Sequence, residues 1–416
     1  MQIASSQKAT EKINWYQVFL ISLGLFGYPV VSFIPGLLNT TESQWFSIPF
    51  RALYLLLSII VIIKFKVVKA NGRNIAIGLI ILFWVMYFIR LSYDSLFNAD
   101  IIVTPLSTYW LFGLGVCFIP MLAFRAVINY KTGVMALTIS YILCVIVNIL
   151  GLFQNIGNTD EFSEVRAQGN DFLNPISYGL VGGSLAILSL VLFMRNRKAG
   201  LTAILFLLPL PLGLWTLVIS LSRGPIIDFL IMLILLFYNS LKSVYSKILS
   251  LIAVTFLLIS LVISFDLPVF NNITKVLQST VGSSNQSDEI RLQLMKGGWD
   301  QFIHNPIAGD LIEERTLHTY PHNLVIEALM ACGLFGGLIH VITIIKSCIQ
   351  TNSLLKSQTT SWVAVLFGMQ LLSSMFAGGI YADYPFWYLL VLTNTLFFQQ
   401  KLAKEKRLSL IRKAEV

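Results

Sequence analysis

Apolar stretches of about twenty residues recur along most of this chain, and they leave it few ways to fold. A stretch of that length crosses a bilayer as a helix, because hydrocarbon offers its backbone no partners other than its own. Such segments fall at roughly 15–36, 46–65, 75–93, 103–123, 132–153, 176–194, 200–219, 225–240, 246–265, 324–345, 361–380 and 386–399. The 416 residues are 12% charged, where a soluble domain would carry about twice that share. Mean hydropathy is +0.77. The expectation is an all-α, polytopic integral membrane protein of about twelve transmembrane helices. No small-residue cleavage site follows the first segment, so it is read as a retained helix.

Charge sets the orientation. Lys8 and Lys12, Lys64 to Arg73, Arg125 and Lys131, Arg195 to Lys198, Lys242 and Lys247, Lys346 and Lys356, and the tail from Lys401 all fall on alternate loops. Those loops hold 21 of the 29 basic residues, whereas the other side holds 17 of the 20 acids. Both termini are therefore expected in the cytoplasm. The net charge of +9 belongs to that rim and gives no support to nucleic-acid binding; membrane lipids are the surroundings implied. Along the chain this gives membrane helices over 1–153, helices with arginine-bearing external loops over 154–265, a large external loop over 266–321, further helices over 322–400 and a basic tail over 401–416.

Cys117, Cys144, Cys332 and Cys348 lie in or beside spans without a close pair, which suggests neither a disulfide framework nor a metal site. Arg51 and Arg90, near the external ends of their helices, read as snorkelling side chains. His340 lies within a span and reads as packed or hydrogen-bonded, and His304 before Asn305-Pro306 reads as a helix C-terminal cap. His318 and His322 have a spacing that would bind metal on a helix, but Pro321 between them argues against one. No metal or other cofactor is implied.

The external loops carry the informative residues. Gln154 to Pro175 is acidic yet contains Arg166, then Gly169. Ser220 to Pro225 is a tight hairpin in which Ser222 or Gly224 suits a helix cap, and Arg223 stands at a helix start favourable to anions. From Asp288 to Phe302 an amphipathic helix is expected, with Leu292, Met295, Trp299 and Phe302 as its apolar stripe and Arg291 among its charges. His322 then stands where this loop enters a span, with Asn323 suited to cap the helix that follows. The turn from Tyr381 to Trp387 reads either as an interfacial aromatic belt or as a sugar-stacking platform. External arginines with a histidine suit a lipid diphosphate held as leaving group, beside a base for an attacking hydroxyl.

Arg166-x-x-Gly169, Ser222-Arg223-Gly224, Arg291 ahead of Asn305-Pro306-Ile307-Ala308-Gly309, and His322-Asn323 with nine residues to Gly333 and then Gly336 resemble the O-antigen ligase family. The resemblance implies a metal-independent, inverting glycosyltransferase of the bacterial inner membrane with its active site facing the periplasm. A glycan linked to undecaprenyl diphosphate would be the donor, and lipid A-core or another glycan the acceptor. Arg166 and Arg223 would bind the donor diphosphate, with Arg291 a looser match as a phosphate or acceptor contact. His322 would activate the acceptor hydroxyl. Ser222, Gly224 and Asn323 would support them, and so would Glu327, because Ala331 stands where relatives often carry a carboxylate. The short 154–175 loop and the compact histidine motif favour a ligase over a polysaccharide polymerase of the same fold. A lipid-linked-sugar flippase is the competing class, and it would need polar groups at mid-membrane depth on several helices.

Overall fold

A computed structural model describes residues 12–38, 40, 42–65, 74–156, 173–240 and 286–414. The chain is a multi-pass, all-α membrane protein, and among the described residues nine helices are long and apolar enough to cross a membrane. The first half runs through α1 (Trp15–Val31), α2 (Ile34–Leu37), α3 (Gln44–Lys64), α4 (Ile75–Phe97), α5 (Leu106–Trp110), a π-helical stretch (Leu111–Phe118), α6 (Ile119–Ala123) and α7 (Tyr130–Ile156). There follow α8 (Pro175–Asn196), α9 (Leu201–Leu205), α10 (Leu210–Ile219) and α11 (Arg223–Ser240). The remainder is α12 (Gln286–His304), α13 (Leu324–Leu355), α14 (Ser361–Ala377) and α15 (Tyr384–Ala414). Every expected span coincides with one or more of these helices except 246–265, which lies outside the described residues.

Several spans are built from pieces, and proline explains two of the breaks. Pro35 starts α2 after α1 has ended, and Pro209 precedes α10 after α9. Packing is closest where side chains are smallest. A Cβ on Gly182 of α8 would lie 2.8 Å from the Gly213 carbonyl of α10, so only glycine lets these helices approach so closely. Buried polar side chains bond within their own helix or to a neighbour. Asn394 of α15 donates to the Leu390 carbonyl (2.7 Å) and to Ser347 Oγ of α13 (2.8 Å).

The core lies around α13, α14 and α15, with α4, α8 and α11 packed against this group and α12 laid on α13. Phe386 and Trp387 are fully buried there, Trp387 against Phe83 and Trp84. That corrects the belt reading for these two residues: α15 is central, so the start of this helix has no interface to occupy. His340 packs against Phe83 at 4.7 Å and Trp387 at 5.5 Å.

The two arginines read as snorkelling each have a specific partner. Arg51 lies over the rings of Tyr28 (5.1 Å) and Phe112 (4.6 Å). Arg90 is ion-paired to Asp94 at 2.5 Å. Asp94 also accepts from Asn98 Nδ2 (2.7 Å) and the Ile312 N–H (3.1 Å). A carboxylate one turn further along the helix, together with a loop covering it, holds Arg90 inward.

α13 is interrupted at Gly333, whose φ of 64° and ψ of −166° belong to a region open essentially to glycine. In an unbroken helix the Leu334 N–H would donate to the Met330 carbonyl. Here Leu334 donates to the Pro306 carbonyl (2.7 Å), and Met330 accepts from the Asp310 N–H (2.8 Å). The segment Pro306–Asp310 thus replaces one rung of the helix with two bonds of its own. A Cβ on Gly333 would collide with the Ile307 carbonyl, and one on Gly309 (φ 76°) with that of Ala331.

Candidate functional site

The loop ahead of α13 is fixed by carboxylates. Glu313, 1% exposed, accepts from the N–H groups of Val103 (3.0 Å) and Thr104 (2.9 Å) and from the Tyr109 hydroxyl (2.7 Å). Glu314 accepts from the N–H groups of Thr316 (3.0 Å) and Leu317 (2.7 Å) and so closes the turn ahead of Tyr320. In sequence nothing sets these two acids apart from the other acids of the external loops. Only the fold distinguishes a glutamate that caps backbone from one in water.

Pro321 is buried, His322 takes a left-handed φ of 56°, and Asn323 returns to extended backbone at φ −144°. Asn323 caps α13 as the sequence suggested, accepting from the N–H groups of Val325 and Ile326 at 3.0 Å each. Its Nδ2 donates to the Met375 carbonyl (3.0 Å), which ties the start of α13 to the end of α14. His322 is held between these anchors. Its ring meets Tyr320 edge to face at 4.5 Å and the Ala377 backbone, and its buried Nδ1 has no hydrogen-bond partner among the described residues. Burial pushes its pKa below the usual 6.5; contact with Ala377 opposes the shift, and the nearby Arg291 charge adds to it. Tyr320 is pushed up to about 12 by burial, then by Glu327 and Asp383, so its hydroxyl remains a donor. The neutral imidazole is therefore the better proton acceptor of the pair.

Arg291 reaches this place because α12 is rotated from the expected face. Leu294, Gly298 and Gln301 are buried, whereas Leu292 and Trp299 are exposed. Glycine decides the rotation: a Cβ at Gly298 would lie 2.8 Å from Pro321 Cγ, and one at Gly297 would collide with Glu314. The contact face is thus small and close, and Arg291, seven residues before Gly298, lies near it and senses both His322 and Tyr320. The Gly297-Gly298 pair was the available signal.

Arg223 opens α11, so Ser222, 5% exposed, occupies the preceding cap position and Gly224 lies inside the first turn. Leu221 has a φ of 46° in the hairpin. The loop after α4 is bonded to Glu313, and successive crossings from there bring the 220–222 hairpin to the His322 end of the bundle. Met232 of α11 lies against Gly368 of α14. Arg223 is nine residues above Met232, and Ala377 nine above Gly368, so both stand roughly 13 Å up antiparallel helices. Arg223 and the Ala377 contact of His322 are therefore at one height. Arg166 lies outside the described residues.

Glu327, fully buried, accepts from the Ile380 N–H at 2.9 Å, and its Oε1 has no hydrogen-bond partner among the described residues. It fastens the turn after α14 to α13. Tyr381 in that turn lies 5.9 Å from Tyr320 and 4.4 Å from Tyr109, continuing the ring series away from His322. Among the described residues no group of three His, Cys, Asp or Glu side chains is arranged to hold a metal ion.

Helical spans throughout define a multi-pass membrane protein, and His322, Arg291 and Arg223 stand at one end of its bundle. Residues 208–309 match the family model described as O-antigen ligase, a match that covers about a quarter of the chain. The matched region includes Ser222-Arg223-Gly224, Arg291 and the Asn305–Gly309 segment. No curated protein matches the chain.

Proposed function

We propose that this protein is an O-antigen ligase that moves a glycan from undecaprenyl diphosphate to a hydroxyl of lipid A-core on the periplasmic face of the inner membrane. The observation that carries this reading is His322: half-buried, held between two anchored helix ends, kept neutral, and flanked by Arg291. The acceptor hydroxyl gives its proton to the imidazole as its oxygen attacks the anomeric carbon. The bond from that carbon to the phosphate oxygen breaks, and the diphosphate leaves with the electron pair while Arg223 and Arg291 bind its oxygens. Attack opposite the leaving group inverts the anomeric centre. Arg166 is assigned to the same diphosphate by its motif. Asn323, Ser222 and Gly224 set the helix starts, and Glu327 holds the turn behind Tyr320. The family description supports a glycan-transferring enzyme, and the arginines supply the donors that a leaving diphosphate needs.

The test is transfer in liposomes containing the full-length protein, a lipid-diphosphate glycan and lipid A-core. His322→Ala is expected to lower the rate by about 10²–10⁴-fold, the usual worth of a general base. Arg223→Ala should also reduce it strongly. Full transfer by both variants would overturn the mechanism. Transfer only to a second lipid-linked glycan would instead assign a polymerase.

A further inference from the structure

A cavity of about 620 Å³ lies on the α4 side of α13, beside the break at Gly333. None of the residues assigned above to glycan transfer lines it. Its polar wall includes Arg90, Asn98, Asn305 and Arg315. Arg90 is 11% exposed; it spends one N–H on Asp94 and reaches the Gly309 carbonyl at 3.4 Å with another. Its Nε is buried with no hydrogen-bond partner among the described residues. Arg315 is half exposed and bound by Asp310 through two contacts of 2.6 and 2.8 Å. A guanidinium carries five N–H donors, so neither carboxylate exhausts its arginine. Formal charge is nearly balanced here; what the cavity offers is directed donors in want of acceptor oxygens.

The mouth of the cavity is apolar. Ile89 is 65% exposed and Ile307 73%, and both line the opening. Arg90 lies seven residues, roughly 10 Å, before the end of α4, an apolar helix long enough to cross a membrane. A ligand that satisfies both parts has acceptor oxygens at one end and hydrocarbon at the other.

We propose that this cavity binds the phosphate-bearing headgroup of a membrane lipid, with phosphate oxygens on Arg90 and Arg315 and acyl chains along Ile89 and Ile307. A lipid so placed bridges α4 to the Pro306–Asp310 segment that is latched into α13, and stabilises the latch. The site is independent of the reaction proposed above.

Native mass spectrometry and thermal unfolding of the full-length protein in a neutral glycoside detergent test it, with phosphatidylglycerol as probe. The expected result is a one-to-one adduct and a raised unfolding temperature. Diacylglycerol and inorganic phosphate should give neither. Arg315→Gln leaves Asp310 held by Gln301 (2.9 Å), so the fold is retained while affinity falls by about tenfold or more. Arg90→Lys keeps the charge facing Asp94 but removes the fork, with the same expected loss. Equal stabilisation by diacylglycerol would show that only apolar contact matters, and equal effect of inorganic phosphate would show a free-anion site; either overturns the proposal. Unchanged phosphatidylglycerol affinity in Arg315→Gln overturns it as well.

Discussion

At His322 three influences act on one proton. Burial disfavours the imidazolium, Arg291 disfavours it further, and the Ala377 backbone favours it but does not prevail. A base with a lowered pKa stays neutral to lower pH, so transfer should fall on the acid side with an inflection below 6.5. Arg291→Gln removes a repelling charge and should move that inflection up toward 6.5, which a pH–rate profile would show. No movement would mean that Arg291 does not act on His322. The stability sign follows by linkage: between the lowered value and 6.5 the unfolded chain binds the extra proton, so this residue makes stability rise with pH across that window. The position of His322 was legible in sequence because a polar loop ends there and Asn323 can cap. Its contact with the Ala377 backbone and the burial of Glu313 were not, because both depend on which distant segments the fold brings alongside.

Among the elements, α13 shows where periodicity stops being informative. The apolar run from Leu324 marked the span correctly, yet nothing in hydropathy separates a straight helix from one with another loop set into it. In sequence Gly333 and Gly336 are only the spacing of a motif, whereas in the fold Gly333 serves a backbone conformation and a loop. α12 failed for a related reason. Three- and four-residue steps fit more than one face of a helix, and side-chain size cannot rank a face whose contact is made by glycine. Gly333→Ala should therefore destabilise by about 1–3 kcal/mol from its dihedrals alone, and by more from the collision with Ile307. Gly78→Ala, exposed in α4 with nothing within 4 Å of the new methyl, should be neutral or stabilising by up to about 1 kcal/mol. Thermal unfolding of the two variants in detergent separates them. If both unfold alike, the latch into α13 does not contribute to stability.

For the whole molecule the decisive quantity is which way the bundle faces. The fold gathers His322, Arg291 and Arg223 at one end, and the basic tail of α15 leaves from the core toward the other. The charge asymmetry leads to the expectation of a cytoplasmic tail, and the proposed chemistry rests on that orientation, since a donor outside must arrive already activated. Cysteine labelling reads this directly. Cys117, Cys144 and Cys332 are buried, so a Cys348→Ser background removes the exposed thiol. Thr316 in the loop ahead of α13 and Ser409 in the tail are both exposed. In spheroplasts, Thr316→Cys should react with a membrane-impermeant maleimide, and Ser409→Cys only after permeabilisation. The reverse pattern would turn the arginine and histidine cluster toward soluble nucleotides. It would then remove the reason for a lipid-linked donor, whatever His322 proved to do in the transfer assay.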